Sequence, residues 1–289
     1  MENNKKIEIF NRLCSKARLT NAWFGYEKDE FVVMTKNDEL RGKKSRSRKT
    51  LTRFWKGGKC LSPPTCLGKD VKLVTMSPQG DAYAVVRVED EICNLEIWFE
   101  SRCVSVVDVD EKTRGKNIYT DNQTGGIVWC PKGKYVAYVA DTYRDDSDQS
   151  MANISKSRTS SLDSKYDHIF DFGEAYEGRV ASDIFVCNVE KLRNGDLYDA
   201  VEKVETLNEF VGDPQLYYDM DSKLCVCYTT WKNEAKRLGL VYCPIRLASI
   251  MTSTWCSSVK IENLNDPTFT CYHENVKYLF VSLIYITRK

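Results

Sequence analysis

The sequence has no apolar stretch long enough to cross a membrane as a helix. Its longest, Tyr278–Ile286, runs for about nine residues, against the ~20 that a span requires. The opening residues, MENNKKIEIF, carry no apolar core of signal-peptide length. Together these absences lead to the expectation of a soluble, cytoplasmic protein with no membrane partner. A dominant charge is missing too. The 42 Lys and Arg residues are balanced by 41 Asp and Glu, for a net charge of +1, so no global field draws the chain to nucleic acid or to a lipid surface. Histidine is scarce, at two residues, and none of the 12 cysteines forms a C-x-x-C pair. The usual zinc and dithiol spacings are therefore absent, and no metal or cofactor is expected. A chain of 289 residues builds its own core and has no need of a disulfide framework. Finally, no serine has glycine at both −2 and +2, and no His-Gly-Gly segment occurs. Those are the nucleophile turn and oxyanion segment of an α/β-hydrolase, so the sequence assigns no catalytic residue.

What the chain does have is short apolar strands set between turns. The stretch from Phe170 to Arg246 contains three of them, Asp183–Val189, Leu224–Thr230 and Leu238–Cys243, each alternating or solidly apolar and bounded by turn residues. Cys225 and Cys227 sit two apart on the middle one, hence on one face, and read as small buried hydrophobes more than as metal or redox ligands. Further strands read over Asn94–Phe99 and Val104–Val109.

A turn-then-strand unit also recurs. Met76-Ser-Pro-Gln-Gly-Asp-Ala-Tyr-Ala-Val-Val86 is matched by Trp129-Cys-Pro-Lys-Gly-Lys-Tyr-Val-Ala-Tyr-Val139. Tyr218 to Tyr228 repeats it with the proline and glycine replaced, and Tyr272 to Val281 repeats it more weakly. Aligned on Pro78, Pro131, Met220 and Glu274, the copies lie about 53, 89 and 54 residues apart, in the range of propeller blades. The long middle interval is accounted for by residues 141–165, rich in Ser and Asp, which read as an exposed insertion. The expected fold is all-β, a partial β-propeller of about four to five four-stranded blades over residues 31–289. Blades of this kind stack because none can bury both faces alone. Ahead of it, residues 5–24 place Ile9, Leu13, Ala17 and Leu19 at spacings that suit one helix face. They predict a short helical arm within residues 1–30.

Three groups of residues invite a functional reading. Arg41, Lys43, Lys44, Arg46, Arg48, Lys49, Arg53, Lys56 and Lys59 form a basic run with no acid among residues 41–59. Such a run can bind phosphates or direct a chain to the nucleus, and Phe54 and Trp55 could stack on bases. No nucleic-acid-binding fold surrounds it, so a solvated strand or loop is the preferred reading and nucleic acid is not an expected partner. Asp171 and Glu174 are close enough for an acid/base pair, but read better as a turn stapled to Arg237 or Arg246. Neither His168 nor His273 has the sequence context of a serine nucleophile, and neither is read as catalytic.

The order of these features resembles the amino-terminal half of acylaminoacyl-peptidase, in the prolyl oligopeptidase superfamily. IFNRLCSKARLTNAWFG is similar to that family's leading helix, and MTKNDELRGKKSRSRKTLTRFW to its acidic-then-basic lead into the first blade. NLEIW with SVVDV, and then IVWCPKGKYVAYVAD, are similar to its next strands. FDFGEAYEGRVASDIFVCNVE resembles its Asp-Trp-Gly-Glu segment through Asp171, Gly173 and Glu174, with Phe172 in place of tryptophan. WKNEAKRLGLVYCPIRLASIM matches another segment through Arg237, Leu238, Gly239, Tyr242, Cys243 and Arg246. The resemblance implies the propeller of a serine peptidase that removes N-acylated amino acids from short blocked peptides. In that family the propeller gates substrate access, assembly into homo-oligomers is usual, and the chemistry lies in a carboxy-terminal hydrolase domain. With that domain lacking here, the chain reads as incomplete. The alternative is a stand-alone propeller module that binds peptide or protein without catalysis. An open array of blades leaves sheet edges unpaired, which also favours association.

Overall fold

Valine, isoleucine, threonine and aromatic residues, which suit a pleated, half-buried surface, fill the runs AYAVVRVE, YVAYVAD, SDIFVCN and LCVCYTTW. All four are strands. The computed structural model describes residues 6, 16–25, 29–41, 44–68, 70–90, 92–100, 102–109, 114–121, 124–142, 181–206, 210–231, 248–254 and 262–263. The first sheet comprises β1 (Arg18–Phe24), β2 (Glu30–Arg41), β3 (Lys44–Trp55) and β4 (Thr65–Gly68), in that order. The second comprises β5 (Val71–Met76), β6 (Ala82–Glu89), β7 (Ile92–Phe99) and β8 (Arg102–Asp108), again in chain order. The third contains β9 (Lys116–Ile118), β10 (Ile127–Trp129), β11 (Tyr135–Asp141), β12 (Ser182–Asn188) and β13 (Val201–Lys203). Its order is β10-β11-β12-β13, with β9 also pairing β11. The fourth runs β14 (Phe210–Tyr218), β15 (Leu224–Trp231), β16 (Ala248–Thr254) and β17 (Glu262–Asn263). Antiparallel neighbours in chain order are the build of a propeller blade. The fold is all-β and of the β-propeller type.

Two compact units make up the chain. One is Met1–Val109 with Trp129–Val136 and Asn188–Ala200; the other is Asp110–Val128 with Ala137–Cys187 and Val201–Lys289. In the first, alternation along β2 turns Val32 and Met34 inward, where they meet Leu51, Leu67, Val71, Met76, Tyr83 and Val85. Each such side chain contributes about 1.5–3 kcal/mol by leaving water. Trp23, Val74 and Trp98 pack against this cluster. The same unit holds a short helix, α1 (Val189–Arg193), capped by the Asn188 carboxamide, whose Oδ1 accepts from the Glu190 and Lys191 amides. The second unit is built on aromatic pairs: Tyr138 stacks on Phe185 at 5.3 Å and Tyr119 on Phe210 at 5.8 Å. Gly115, at φ +80°, lets the backbone pass so close that a Cβ would lie 2.7 Å from the Phe185 ring. Only glycine suits that position.

The repeated turn is the same object three times. In the second sheet the Gly80 amide donates to the Ser77 carbonyl at 2.9 Å. The Ser77 hydroxyl then accepts from the Ala82 amide at 3.1 Å. In the third sheet the Gly133 amide donates to the Cys130 carbonyl at 2.9 Å, and Cys130 Sγ accepts from the Tyr135 amide at 3.3 Å. In the fourth the Ser222 amide donates to the Asp219 carbonyl at 3.1 Å, and Asp219 Oδ1 accepts from the Lys223 amide at 2.7 Å. The fourth turn residue is left-handed each time, at φ +75°, +68° and +59° for Gly80, Gly133 and Ser222. The Ser-Pro-x-Gly reading therefore marks the junction of the first and second strands of each blade, β5 to β6, β10 to β11 and β14 to β15. It survives in the fourth sheet although proline and glycine are gone.

Two expectations change. The helical reading of residues 5–24 does not hold over its second half, since Arg18–Phe24 is strand β1, paired antiparallel with β2 from Arg18↔Lys36 to Phe24↔Phe31. Lys6 is helical. Thr20, Trp23 and Phe24 favour strands, and the Thr20 hydroxyl donates to the Met34 carbonyl at 3.0 Å, so pairing overrides the helical spacing at Ala17 and Leu19. The first sheet accordingly takes in part of the 1–30 segment. The repeat also begins one blade earlier than Met76: in the first sheet the Gly25 amide donates to the Glu30 carbonyl at 2.8 Å, as Ser77 does to Ala82 in the second. The 272–281 repeat, the Leu238–Cys243 strand and the 141–165 insertion beyond Thr142 lie outside the described residues.

Candidate functional site

The residues first considered for chemistry divide sharply. Asp171, Glu174, His168, His273, Arg237 and Arg246 lie outside the described residues. Cys225 and Cys227 are strand neighbours on β15, as expected. Cys225 is 2% exposed and Cys227 half-buried. Burial pushes the Cys225 thiol up, helped by the charge of Asp219, and pushes Cys227 up to about 12. Both stay protonated at neutral pH and pack as small apolar groups. Buried Cys187, on β12, is likewise pushed up to about 12. Among the described residues no group of three or more His, Cys, Asp or Glu is placed to hold a metal ion.

Sequence reasoning missed the polar seam between the first two sheets. Arg87, on β6, directs Nε and Nη2 at the carboxylate of Glu96, on β7, at 2.6 and 3.2 Å. Its Nη1 donates to the Leu67 carbonyl of β4 at 3.0 Å, and the Trp98 indole donates to Glu96 Oε2 at 2.8 Å. These two charges are diagonal neighbours across the strand pair, near enough to meet. The hydrogen bonds it donates to Glu96 hold the Arg87 guanidinium above its ordinary value. The clue in the sequence was a lone acid inside NLEIWF and a lone base inside AYAVVRVE.

Arg53, on β3, forms a second link. It donates to Glu30 at 2.8 Å and to the Gly80 carbonyl at 3.4 Å. Beside it lies a cavity of about 20 Å³ lined by Val32, Leu51, Arg53, Tyr83, Ser62 and Glu100, among others. That is room for about one water, so no substrate fits. The Tyr83 hydroxyl is buried there without a hydrogen-bond partner, and its ring stacks on Trp98 at 5.8 Å. Burial pushes this hydroxyl up to about 12, so it stays a neutral group at physiological pH. The seam holds two sheets together. It has the makings of a scaffold rather than of a reaction centre.

The basic run is split by the fold. Lys49 donates to the carbonyls of Val71 and Lys72 at 2.8 and 3.2 Å, and Arg53 is tied to Glu30. Both are structural cations. Arg41, Lys44 and Arg46 lie further out on the β2–β3 hairpin, where Arg41 pairs with Lys44.

Comparison with known proteins places these sheets. The model of a family described as the N-terminal domain of acylamino-acid-releasing enzyme matches residues 61–278. Among solved structures, the β-propeller domain of the Trilobed protease from Pyrococcus furiosus, described as having an open velcro topology, is 10% identical with a TM-score of 0.45. This chain covers 57% of it with 86% of its own length. Pyrococcus horikoshii acylaminoacyl peptidase is 12% identical with a TM-score of 0.49, over 87% of this chain and 33% of that one. An acylaminoacyl peptidase in complex with Z-Gly-Gly-Phe-chloromethyl ketone is 13% identical with a TM-score of 0.49, over 88% of this chain and 34% of that one. The chain thus spans about a third of the length of those two peptidases. A search of curated proteins found no match. No helix among the described residues is long and apolar enough to cross a membrane.

Proposed function

Because the chain belongs to the family of the acylamino-acid-releasing enzyme N-terminal domain, we propose that it is the non-catalytic propeller part of an acylaminoacyl-peptidase-like serine peptidase. In this reading it gates access to a hydrolase domain that removes N-acylated amino acids from short blocked peptides. The observation that carries the reading is the family match, which extends over residues 61–278. The blade-type sheets and their shared turn support it, since sheets of this kind are the build of a propeller. The seam supports it as well: its buried charges are spent on joining sheets, and a gate needs a fixed rim more than it needs reactive groups. The hydrolase half, on this account, is supplied outside the present 289 residues. The complete assembly is cytoplasmic and homo-oligomeric.

The test is an immunoprecipitation of the native protein from its own cells, followed by assay of the precipitate on an N-acetylated tripeptide and on a long blocked peptide. Release of the acetylated residue from the tripeptide, with little from the long peptide, is the expected result. A precipitate that contains the chain and releases nothing from either peptide overturns the proposal and leaves a stand-alone binding module.

A further inference from the structure

The β2–β3 pair is longer than the sheet it belongs to. Both strands have 12 residues, whereas β1 has 7 and β4 has 4. Pairing with β1 stops at Lys36 and pairing with β4 stops at Lys49. Beyond that line the register continues, among the described residues, between β2 and β3 only, from Asn37↔Arg48 through Asp38↔Ser47, Glu39↔Arg46 and Leu40↔Ser45 to Arg41↔Lys44. The result is a two-stranded ribbon that extends past both flanking strands. Its root is held firmly. Lys49 grips two carbonyls of the second sheet's first strand, and the Thr35 and Thr50 hydroxyls share a 2.8 Å hydrogen bond across the pair.

Register also sorts the charges. Residues directly opposite one another share a face, and faces alternate along each strand. Arg41, Lys44, Arg46 and Arg48 therefore fall at positions on one face, together with Asn37 and Glu39. Asp38, Leu40, Ser45 and Ser47 fall at positions on the other. A sequence that reads as a diffuse basic run is thus resolved into a basic face with one acid and a nearly neutral one. In a chain of net charge +1, this concentration is local and not part of a general excess.

We propose that this ribbon is a nucleic-acid-binding arm whose basic face lies along the phosphate backbone. A two-stranded ribbon is narrow enough to enter a groove about 12 Å wide. Alternate positions on a strand are ~6.8 Å apart, twice the ~3.4 Å axial spacing of phosphates along one nucleic-acid strand. An anionic membrane fits less well, because surface arms of that kind add a substantial apolar face, and Leu40 is the one large apolar residue between Asn37 and Arg48. Arg41, Lys44 and Arg46 supply the contacts, with sequence-independent recognition as the outcome. Lys49 and Arg53 take no part, since their charges are already committed to the fold.

Fluorescence anisotropy of the full chain with a labelled duplex of about 20 base pairs tests this. Three phosphate contacts give a slope of log K against log salt of about −2.7, so binding weakens about 40-fold between 50 and 200 mM salt. The variant R41T/K44T/R46T keeps strand-forming residues and is expected to lose at least about 10-fold in affinity at 50 mM salt, with a flattened slope. The charge-preserving R41K/R46K is expected to stay within about 3-fold of the parent. Urea unfolding of each variant checks that the sheet is intact. Absence of binding at 50 mM salt overturns the proposal. So does a triple variant that unfolds normally and binds like the parent, or a chain that sediments with phosphatidylserine vesicles and ignores the duplex.

Discussion

The first and second sheets are built to the same plan and differ in how completely they use it. In the second, strands of 6, 8, 8 and 7 residues match one another, and the inner strand β6 is buried on both faces through most of its length. In the first, strands of 7, 12, 12 and 4 residues leave the central pair projecting. Their buried charges follow the same division. Glu96 of the second sheet accepts from two guanidinium nitrogens and an indole. Glu30 of the first is joined to an arginine that keeps 22% of its side chain exposed. A blade needs strands only as long as the neighbours they pair with, and charges only where bonds can be completed. The second sheet is scaffold throughout. The excess in the first is the ribbon for which a second task is proposed.

Breaking the second sheet's network should have the largest effect. Glu96→Ala leaves Arg87, 16% exposed along its side chain, without its hydrogen-bonded counter-charge, Glu89 standing 3.9 Å away. The expected cost is about 3–5 kcal/mol, the usual penalty for stranding one member of a buried pair. Chemical denaturation checks it, and a cost below about 1 kcal/mol would equate this pair with an exposed one. Glu30→Ala should cost less, about 2 kcal/mol, because the Arg53 it strands keeps 22% of its side chain exposed and water reaches part of the guanidinium. The two variants measured side by side decide whether the sheets differ as described.

A third comparison is made with pH. Tyr83 has a folded-state pKa of about 12 against an ordinary value of about 10. A raised folded-state value means that this contribution is complete below pH 10 and is lost as pH climbs through 12. Cys187 and Cys227, also pushed to about 12, begin to lose theirs from their ordinary value of about 8.5. The urea midpoint should therefore fall between about pH 9 and about pH 12, and Tyr83→Phe should flatten the upper part of that decline. An unchanged upper part would show that Tyr83 is solvated after all. The smallest expected effect is that of R41T/K44T/R46T on stability, within about 0.5 kcal/mol, because the ribbon lies past the paired flanks of its sheet. A larger loss would make the projection part of the blade.

How much could be read in advance depended on what each feature rests on. The turns at Ser77 and Cys130 were legible because proline and glycine suit the backbone there, and the strands after them because burial on both faces makes them solidly apolar. The first blade was not, since the segment after Gly25 carries no proline and β1 resembles a helix in its apolar spacing. The polar seam was legible only in outline. Arg87 and Glu96 stand out as charges in apolar strands, but their meeting depends on register, which no single strand contains. The same holds for the ribbon: composition gave the charge, and pairing gave the face. Asp171, Glu174, Arg237 and Arg246 lie outside the described residues.

The measurement that bears most directly on the central claim is the mass of the native polypeptide, read by denaturing blot of its own cells with an antibody raised against residues 141–165. Since the proposed function places the hydrolase half outside these residues, the account predicts a band more than about twice the mass expected for them, enough for a second domain. A band at the mass of the chain itself would contradict it.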